Sequence, residues 1–340
     1  MKPYNRFKTQ QYKNDIHYRL WIVEIAIDFT AKTKYGFMEV SVVCCTYDEA
    51  IYDDFRDAVS SILTQTYSDV ELVIVVDGTK SIYERARQEY GDKKNVILHC
   101  NDENRGLAAS RNVGWKLASG DIIAFIDDDA VADEQWIETL VDVYENHDVV
   151  SVGGQMTPNW VAGRPWYLPE EFYWLVGVTH KGFADGPQEV RNTNGSNISF
   201  CRNVLMELGG FDESLGRQGA RQIQAEETEL CIRMYHEMGC RTWYEPDAKV
   251  AHKIFAYRTR LSFLLKRAFW QGYSKKKMEN ILSTPDNVEN DFLWRLFYDF
   301  IPDRLVSLIH SRSIEQAAQI GMIFVLTLTV GAGYLYGIVR

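Results

Sequence analysis

The run Ile122-Ile123-Ala124-Phe125-Ile126, followed at once by Asp127-Asp128-Asp129, constrains this chain more than any other stretch. Apolar, mostly β-forming residues without polar alternation describe a strand covered on both faces, as in a parallel α/β sheet. Three adjacent carboxylates at the end of such a strand repel one another, and a cation or a set of donors has to offset that repulsion. In an extended segment residues two apart point the same way, so Asp127 and Asp129 can share a target while Asp128 faces elsewhere. Oxygen ligands of this kind suit a hard cation, Mg2+ or Mn2+, held by one or two carboxylates together with substrate phosphates. The alternative at this point is an acidic turn capping a helix that starts near Asp133.

The stretches upstream support a sheet that such a strand can join. Glu39 to Tyr47 is a β-branched run ending in a polar turn, and Glu71 to Val76 is a second buried strand ending in Asp77-Gly78. Between them, Asp54 to Leu63 has helical spacing, with Phe55, Val59, Ile62 and Leu63 on one face. This is a β-α-β unit with a carboxylate at its second tip. Ligands of open α/β sheets sit beyond the carboxyl ends of the strands, where Asp77 can accept from ribose or base donors. A helix around Ser81–Tyr90, a strand over Asn95–His99 and the segment Asn104 to Asn112 follow. There Gly106 can open a helix, and Arg105 and Arg111 can meet phosphate. Neither GxGxxG nor GxxxxGK[ST] occurs, so dinucleotide and P-loop chemistry are not supported.

Taken in order, Val42 to Tyr47, Val75-Val76-Asp77-Gly78, Asn104-Arg105-Gly106 with Ser110-Arg111-Asn112, and Asp127-Asp128-Asp129 resemble glycosyltransferase family 2 with its GT-A fold. The resemblance continues through Asn194 to Arg202, Gly209 to Glu213, Ala225 to Leu230 and Pro246 to His252, and covers about Glu39 to Lys277. It implies an α/β fold with a Rossmann-like mixed sheet and helices on both faces. It further implies a nucleotide-sugar site containing Thr46, Tyr47, Glu49, Asp77, Asn104, Arg105, Gly106, Arg111, Asp127, Asp128, Asn194 and Gly195. Asp127, Asp129 and His252 would hold the metal, Mg2+ or Mn2+, which offsets charge on the departing diphosphate. An inverting transfer needs a carboxylate base, and the family's Glu-Asp pair reads Glu226-Glu227 here. Glu227 aligns with the Asp and is the expected base, with Glu226 as its rival. By the same resemblance the donor is a UDP- or GDP-sugar. Asn194-Gly195-Ser196 and Asn197-Ile198-Ser199 match the glycosylation sequon, and are expected to be unused motif residues beside the donor.

Composition then bounds the setting. A formal net charge of −10 excludes a general nucleic-acid binder, which needs a basic face. The 6 cysteines form no CxxC pair or metal-finger spacing, as expected of reduced thiols in a cytoplasmic compartment. Gln316 to Val339 carries no charge, and about twenty such residues at ~1.5 Å each span the ~30 Å core of a bilayer. Arg304, His310 and Arg312 precede it and Arg340 alone follows, which places the body in the cytoplasm by the positive-inside rule. Between Arg258 and Lys277, bulky apolar residues alternate with a basic cluster, as in a helix lying on an anionic lipid surface or against the catalytic body.

The expected organisation is therefore an extension over 1–37, a catalytic domain over 38–256, membrane-proximal amphipathic helices over 257–315 and a transmembrane anchor over 316–340. The catalytic domain divides into a nucleotide-sugar half (38–155) and an acceptor half (156–256). This layout suits a lipid-linked acceptor and resembles the archaeal Agl transferases that extend dolichyl-phosphate-linked glycans for protein N-glycosylation. The alternatives are a polysaccharide glycosyltransferase, though no Gln-x-x-Arg-Trp motif occurs, and an inactive membrane-tethered nucleotide-sugar binder.

Overall fold

Val40–Thr46 (β1), Val70–Val76 (β2), Val96–Cys100 (β3) and Ile122–Asp127 (β4) lie parallel in the order β3-β2-β1-β4. This is a computed structural model, and it describes residues 38–215, 225–281 and 288–339. The extension expected over 1–37, with its apolar patch from Trp21 to Phe29, lies outside the described residues. Parallel neighbours need crossovers, and these are Tyr52–Leu63 (α1), Lys80–Tyr90 (α2) and Leu107–Leu117 (α3). Tyr52, Phe55, Ala58, Val59 and Ile62 of α1 are all buried, as their helical spacing requires.

The next elements are Ala130–Ala132 (β5), Trp136–Asn146 (α4), Ser151–Trp160 (β6), Gln188–Val190 (β7) and Ile198–Cys201 (β8). Arg202–Leu208 (α5), Glu226–Met238 (α6) and Thr242–Ile254 (β9) follow. The sheet then reads β3-β2-β1-β4-β8-β6-β9-β5, with β7 attached to β9. The wholly parallel surroundings that its composition suggests for Ile122–Ile126 give way to a seam. Here β4 runs parallel to β1 and antiparallel to β8, in register Ile122↔Val40 and Phe125↔Ile198. Burial depends on cover by both layers and not on strand direction, so every residue from Ile122 to Ile126 is at most 2% exposed all the same.

Beyond the sheet lie Leu261–Ile281 (α7), Val288–Arg295 (α8), a π-helical turn over Leu296–Phe300, Ile301–Ser311 (α9) and Ile314–Val339 (α10). The apolar segment expected to span a membrane is α10, the one described helix long and apolar enough to do so, and only 22% of its most apolar stretch is buried. The basic stretch after Arg258 forms α7, which packs along α10. A Cβ on Gly272 would stand 2.0 Å from the Val330 carbonyl oxygen and one on Gly333 1.9 Å from that of Phe269, so both positions require glycine. Arg304 of α9 ties these helices to the body. It donates to fully buried Glu171 through Nε (3.0 Å) and Nη2 (2.7 Å), and to Gln319 of α10 through Nη1.

Candidate active site

The site lies along the carboxyl ends of β1, β2 and β4, where chain direction gathers Thr46, Asp77 and the aspartate triplet. Asp77 is 4% exposed, and the chain itself occupies most of its accepting capacity. Its Oδ1 accepts from Asn101 Nδ2 (2.8 Å) and from the backbone N–H of Arg105 (2.9 Å), and its Oδ2 from the N–H of Gly106 (2.8 Å). Expected as a ribose or base acceptor, Asp77 pins the start of α3, with one Oδ2 lone pair left for a ligand. Gly78 permits the approach: its φ is +82°, and a Cβ there would stand 2.5 Å from Asn104 N. Gly106, φ +91°, opens α3 as anticipated.

The other residues of the expected nucleotide-sugar site divide into exposed and buried ones. Tyr47 is 57% exposed, its carbonyl accepts from Thr79 Oγ1 (2.7 Å), and Glu49 accepts from Ser81 Oγ. Arg105 is exposed and pairs with Glu213 (3.5 Å). Arg111, expected to meet phosphate, is 3% exposed; its Nη2 lies 2.8 Å from Asp127 Oδ1 and its Nη1 3.5 Å from Glu226 Oε1. It therefore couples the β4 tip to α6. Gly195 makes room for it, since a Cβ there would stand 2.8 Å from Arg111 Nη1. Asn194 accepts at its carbonyl from Asn197 N–H (2.9 Å), and Ser196 Oγ accepts from the N–H of Asp127 (2.9 Å). Asn197 has no exposed surface, and its amide donates to the carbonyls of Ala248 (2.8 Å) and Gln155 (3.1 Å), so it is closed to glycosylation.

The triplet separates as its alternation suggests. Asp128 turns inward with the Thr46 hydroxyl alongside, and its Oδ2 is buried without a hydrogen bond of good geometry. Burial first, and the charge of Asp129 second, push its carboxyl well above the usual carboxylate range. Asp129 is brought to His252 by the antiparallel pairing of β5 with β9, in which Ala130 faces His252. Asp129 Oδ1 lies 3.2 Å from His252 Nε2. Arg258 bridges the two, with Nη2 2.9 Å from Asp129 Oδ2 and Nη1 2.9 Å from His252 Nε2. A guanidinium only donates, so Nε2 presents a lone pair beside a carboxylate oxygen. Two such acceptors repel unless a cation lies between them. The donor set therefore fits a divalent metal, with Arg258 as the cationic stand-in. Asp127, the third expected ligand, faces Arg111 instead, and among the described residues no three His, Cys, Asp or Glu side chains form a ready cage.

The two candidate bases differ sharply. Glu226 is 4% exposed, held by Arg111 and by the N–H of Ala225 (3.1 Å). Glu227 pairs with no cation among the described residues, and burial, reinforced by Glu226, raises its carboxyl from 4.5 to about 7. Sequence reasoning missed Arg258, which it counted with the basic cluster of α7, and Ser196, which it took as part of a motif. The alternation of basic and apolar residues in α7 could not separate an arginine three residues before the helix.

Residues 41–209 match the profile described as "Glycosyl transferase family 2". The chain is 49% identical over 302 residues to a glucosyl-dolichyl phosphate glucuronosyltransferase of Haloferax volcanii, covering 88% of this chain and 96% of that one. It thus belongs to glycosyltransferase family 2 and is a glycosyltransferase. It is also similar to glycosyltransferase AglE of the same organism, 35% identical over 34% of this chain and 39% of that one. The mannosyltransferase PcManGT of Pyrobaculum calidifontis, solved with GDP-Man and Mn2+, shares the fold at TM-score 0.54 and 19% identity, covering 96% of this chain and 98% of that one.

Proposed function

We propose that the protein transfers a sugar, with inversion, from a UDP- or GDP-sugar to a hydroxyl of a dolichyl- or polyprenyl-phosphate-linked glycan, in protein N-glycosylation or cell-surface glycan assembly. The observation that carries this reading is the convergence at buried Arg111 of the β4 carboxylate and the α6 acidic pair. By this reading the donor end and the proton acceptor lie on either side of Arg111. The Haloferax relative acts on glucosyl-dolichyl phosphate by its name, which favours a lipid-linked sugar as acceptor and glucuronic acid as the first donor sugar to test. Helix α10 supplies a membrane anchor for such an enzyme, with the catalytic body on the cytoplasmic side.

Glu227 takes the proton of the acceptor hydroxyl as that oxygen forms its bond to the anomeric carbon, and the bond from that carbon to the nucleotide diphosphate breaks on the opposite face. Arg111 and the Ala225 N–H occupy the Glu226 carboxylate, which leaves Glu227 as the member of the pair free to reach the acceptor hydroxyl. Asp129 and His252, with Asp127 across from them, would hold Mg2+ or Mn2+. When bound, the metal stabilises charge on the departing diphosphate.

The test uses the full chain with Mn2+, UDP-glucuronate and a glucosyl prenyl phosphate, with the product read by mass. Glu227→Gln should lower transfer by about 10²–10⁴ while sparing donor binding. Unimpaired transfer would move the base to Glu226, and a wild-type protein inert toward every lipid-linked sugar would overturn the reading.

A further inference from the structure

Most large aromatic side chains of the body are buried, yet Tyr257 and Trp166 are 49% and 52% exposed. Both stand on loops, and that of Tyr257 also carries Arg258, the partner of Asp129. The Tyr257 ring stacks on Phe255, with centroids 6.3 Å apart and planes 10° from parallel, and its hydroxyl accepts from Arg258 Nε (3.0 Å). Through Arg258 the ring is one side chain removed from Asp129. The two loops are joined, because Tyr167 donates its hydroxyl to the carbonyl of Thr259 (2.6 Å). Trp166 meets Tyr167 edge to face, with centroids 5.9 Å apart, and its carbonyl accepts from Gln319 Nε2 of α10 (2.8 Å). A chain of direct contacts therefore runs from the base of the apolar helix, past two uncovered rings, to the metal-site carboxylate.

We infer that Tyr257, with Trp166 outside it, forms the platform on which the sugar of the lipid-linked acceptor is held. This rests on the lipid-linked acceptor proposed above. A pyranose ring has an apolar C–H face, and a fixed aromatic ring is a rigid surface for it that costs little conformational entropy. The position suits the acceptor: an isoprenoid lying along α10 would bring its first sugar to Trp166, whose loop is tied through Thr259 to the one that carries Tyr257 and Arg258. The nearby polar cavity of ≈ 320 Å³ has no unpaired cation in its lining. Its Arg164, Lys181 and Arg304 are already paired with Glu315 or Glu171.

The experiment titrates a water-soluble, short-chain glucosyl prenyl phosphate against the full chain with Mn2+ and saturating UDP-glucuronate, and measures donor hydrolysis without acceptor in parallel. Tyr257→Ala should raise the acceptor KM about tenfold, with little change in kcat or in donor hydrolysis. Tyr257→Phe, which keeps the ring and loses the hydrogen bond from Arg258, should retain the wild-type KM. Trp166→Ala should raise it about threefold. The platform is overturned by an unchanged acceptor KM in Tyr257→Ala, by Tyr257→Phe matching Tyr257→Ala, or by both alanine variants losing affinity for anionic vesicles instead. Saturation-transfer NMR from protein aromatic protons to the glucoside, on wild type with Mn2+ and UDP, separates the two readings. Contact without turnover sinks the proposed transfer and keeps the platform, whereas turnover without contact does the reverse.

Discussion

Strands β2 and β4 both end in aspartate at the same edge of the sheet, and their carboxylates are satisfied in opposite ways. Asp77 accepts from Asn101 and from two backbone N–H groups, donors that cannot leave without unfolding the start of α3. Asp127 and Asp129 are met by Arg111 and Arg258, whose long side chains can exchange with another cation. A carboxylate held by backbone amides is a structural part of its loop. One held by an arginine is a cation site whose occupant can change. In the function proposed above, Asp77 shapes the nucleotide pocket while Asp127 and Asp129 meet the charge on the diphosphate.

The largest effect should come from the exchangeable side. Asp129→Ala or Asp127→Ala should lower kcat/KM about 10²–10³-fold, and transfer should no longer respond to added Mn2+. Activity that survives either change, with its metal response intact, would make the triplet resemble Asp77. Asp77→Asn should invert the pattern. It sets an NH2 against the Gly106 N–H, which the Asp77 Oδ2 accepts from, and leaves that donor unpaired, at a cost of about 2 kcal/mol in unfolding free energy. Calorimetry should show the loss, with the Mn2+ response unaltered in whatever activity remains.

This contrast was not legible in the sequence, although both tips were. The elements themselves were written locally: β-branched runs, helical spacing in α1 and a glycine opening α3 placed them to within a residue or two. The seam at β4 was hidden, because Ile122–Ile126 is equally apolar beside a parallel or an antiparallel neighbour. Partners were hidden for a different reason. Asp129 meets Arg258 across 129 positions, and Arg111 meets Glu226 across 115. Only the pairing of β5 with β9 and the docking of α6 create those contacts. Asp77, by comparison, meets N–H groups that every residue carries, so no residue type could announce them.

A smaller effect tests the stand-in directly. In Arg258→Gln, Asp129 Oδ2 and His252 Nε2 lose the cation that bridges them, which makes the metal-free state less favourable. Binding of Mn2+ without donor, followed by EPR, should tighten about tenfold, and Arg258→Lys should fall between the two. Unchanged or weaker Mn2+ binding in the glutamine variant would mean that Arg258 supports the site and does not compete for it.

The smallest effect concerns the carboxylate that neither device satisfies. Burial beside Glu226 lifts Glu227 to about 7, and the base acts in its ionised form. Transfer should therefore rise with pH, falling off on the acid side of about 7 and gaining only about twofold between pH 7 and 8. Stability runs the other way. Between 4.5 and about 7 the folded state holds a proton on Glu227 that the unfolded chain has released, so unfolding free energy drops as pH rises through that window and is flat above it. Glu227→Gln, which cannot ionise, should flatten the melting temperature across the same window. A slope that persists in the variant would place the titration elsewhere, leaving Glu227 as firmly held as Asp77.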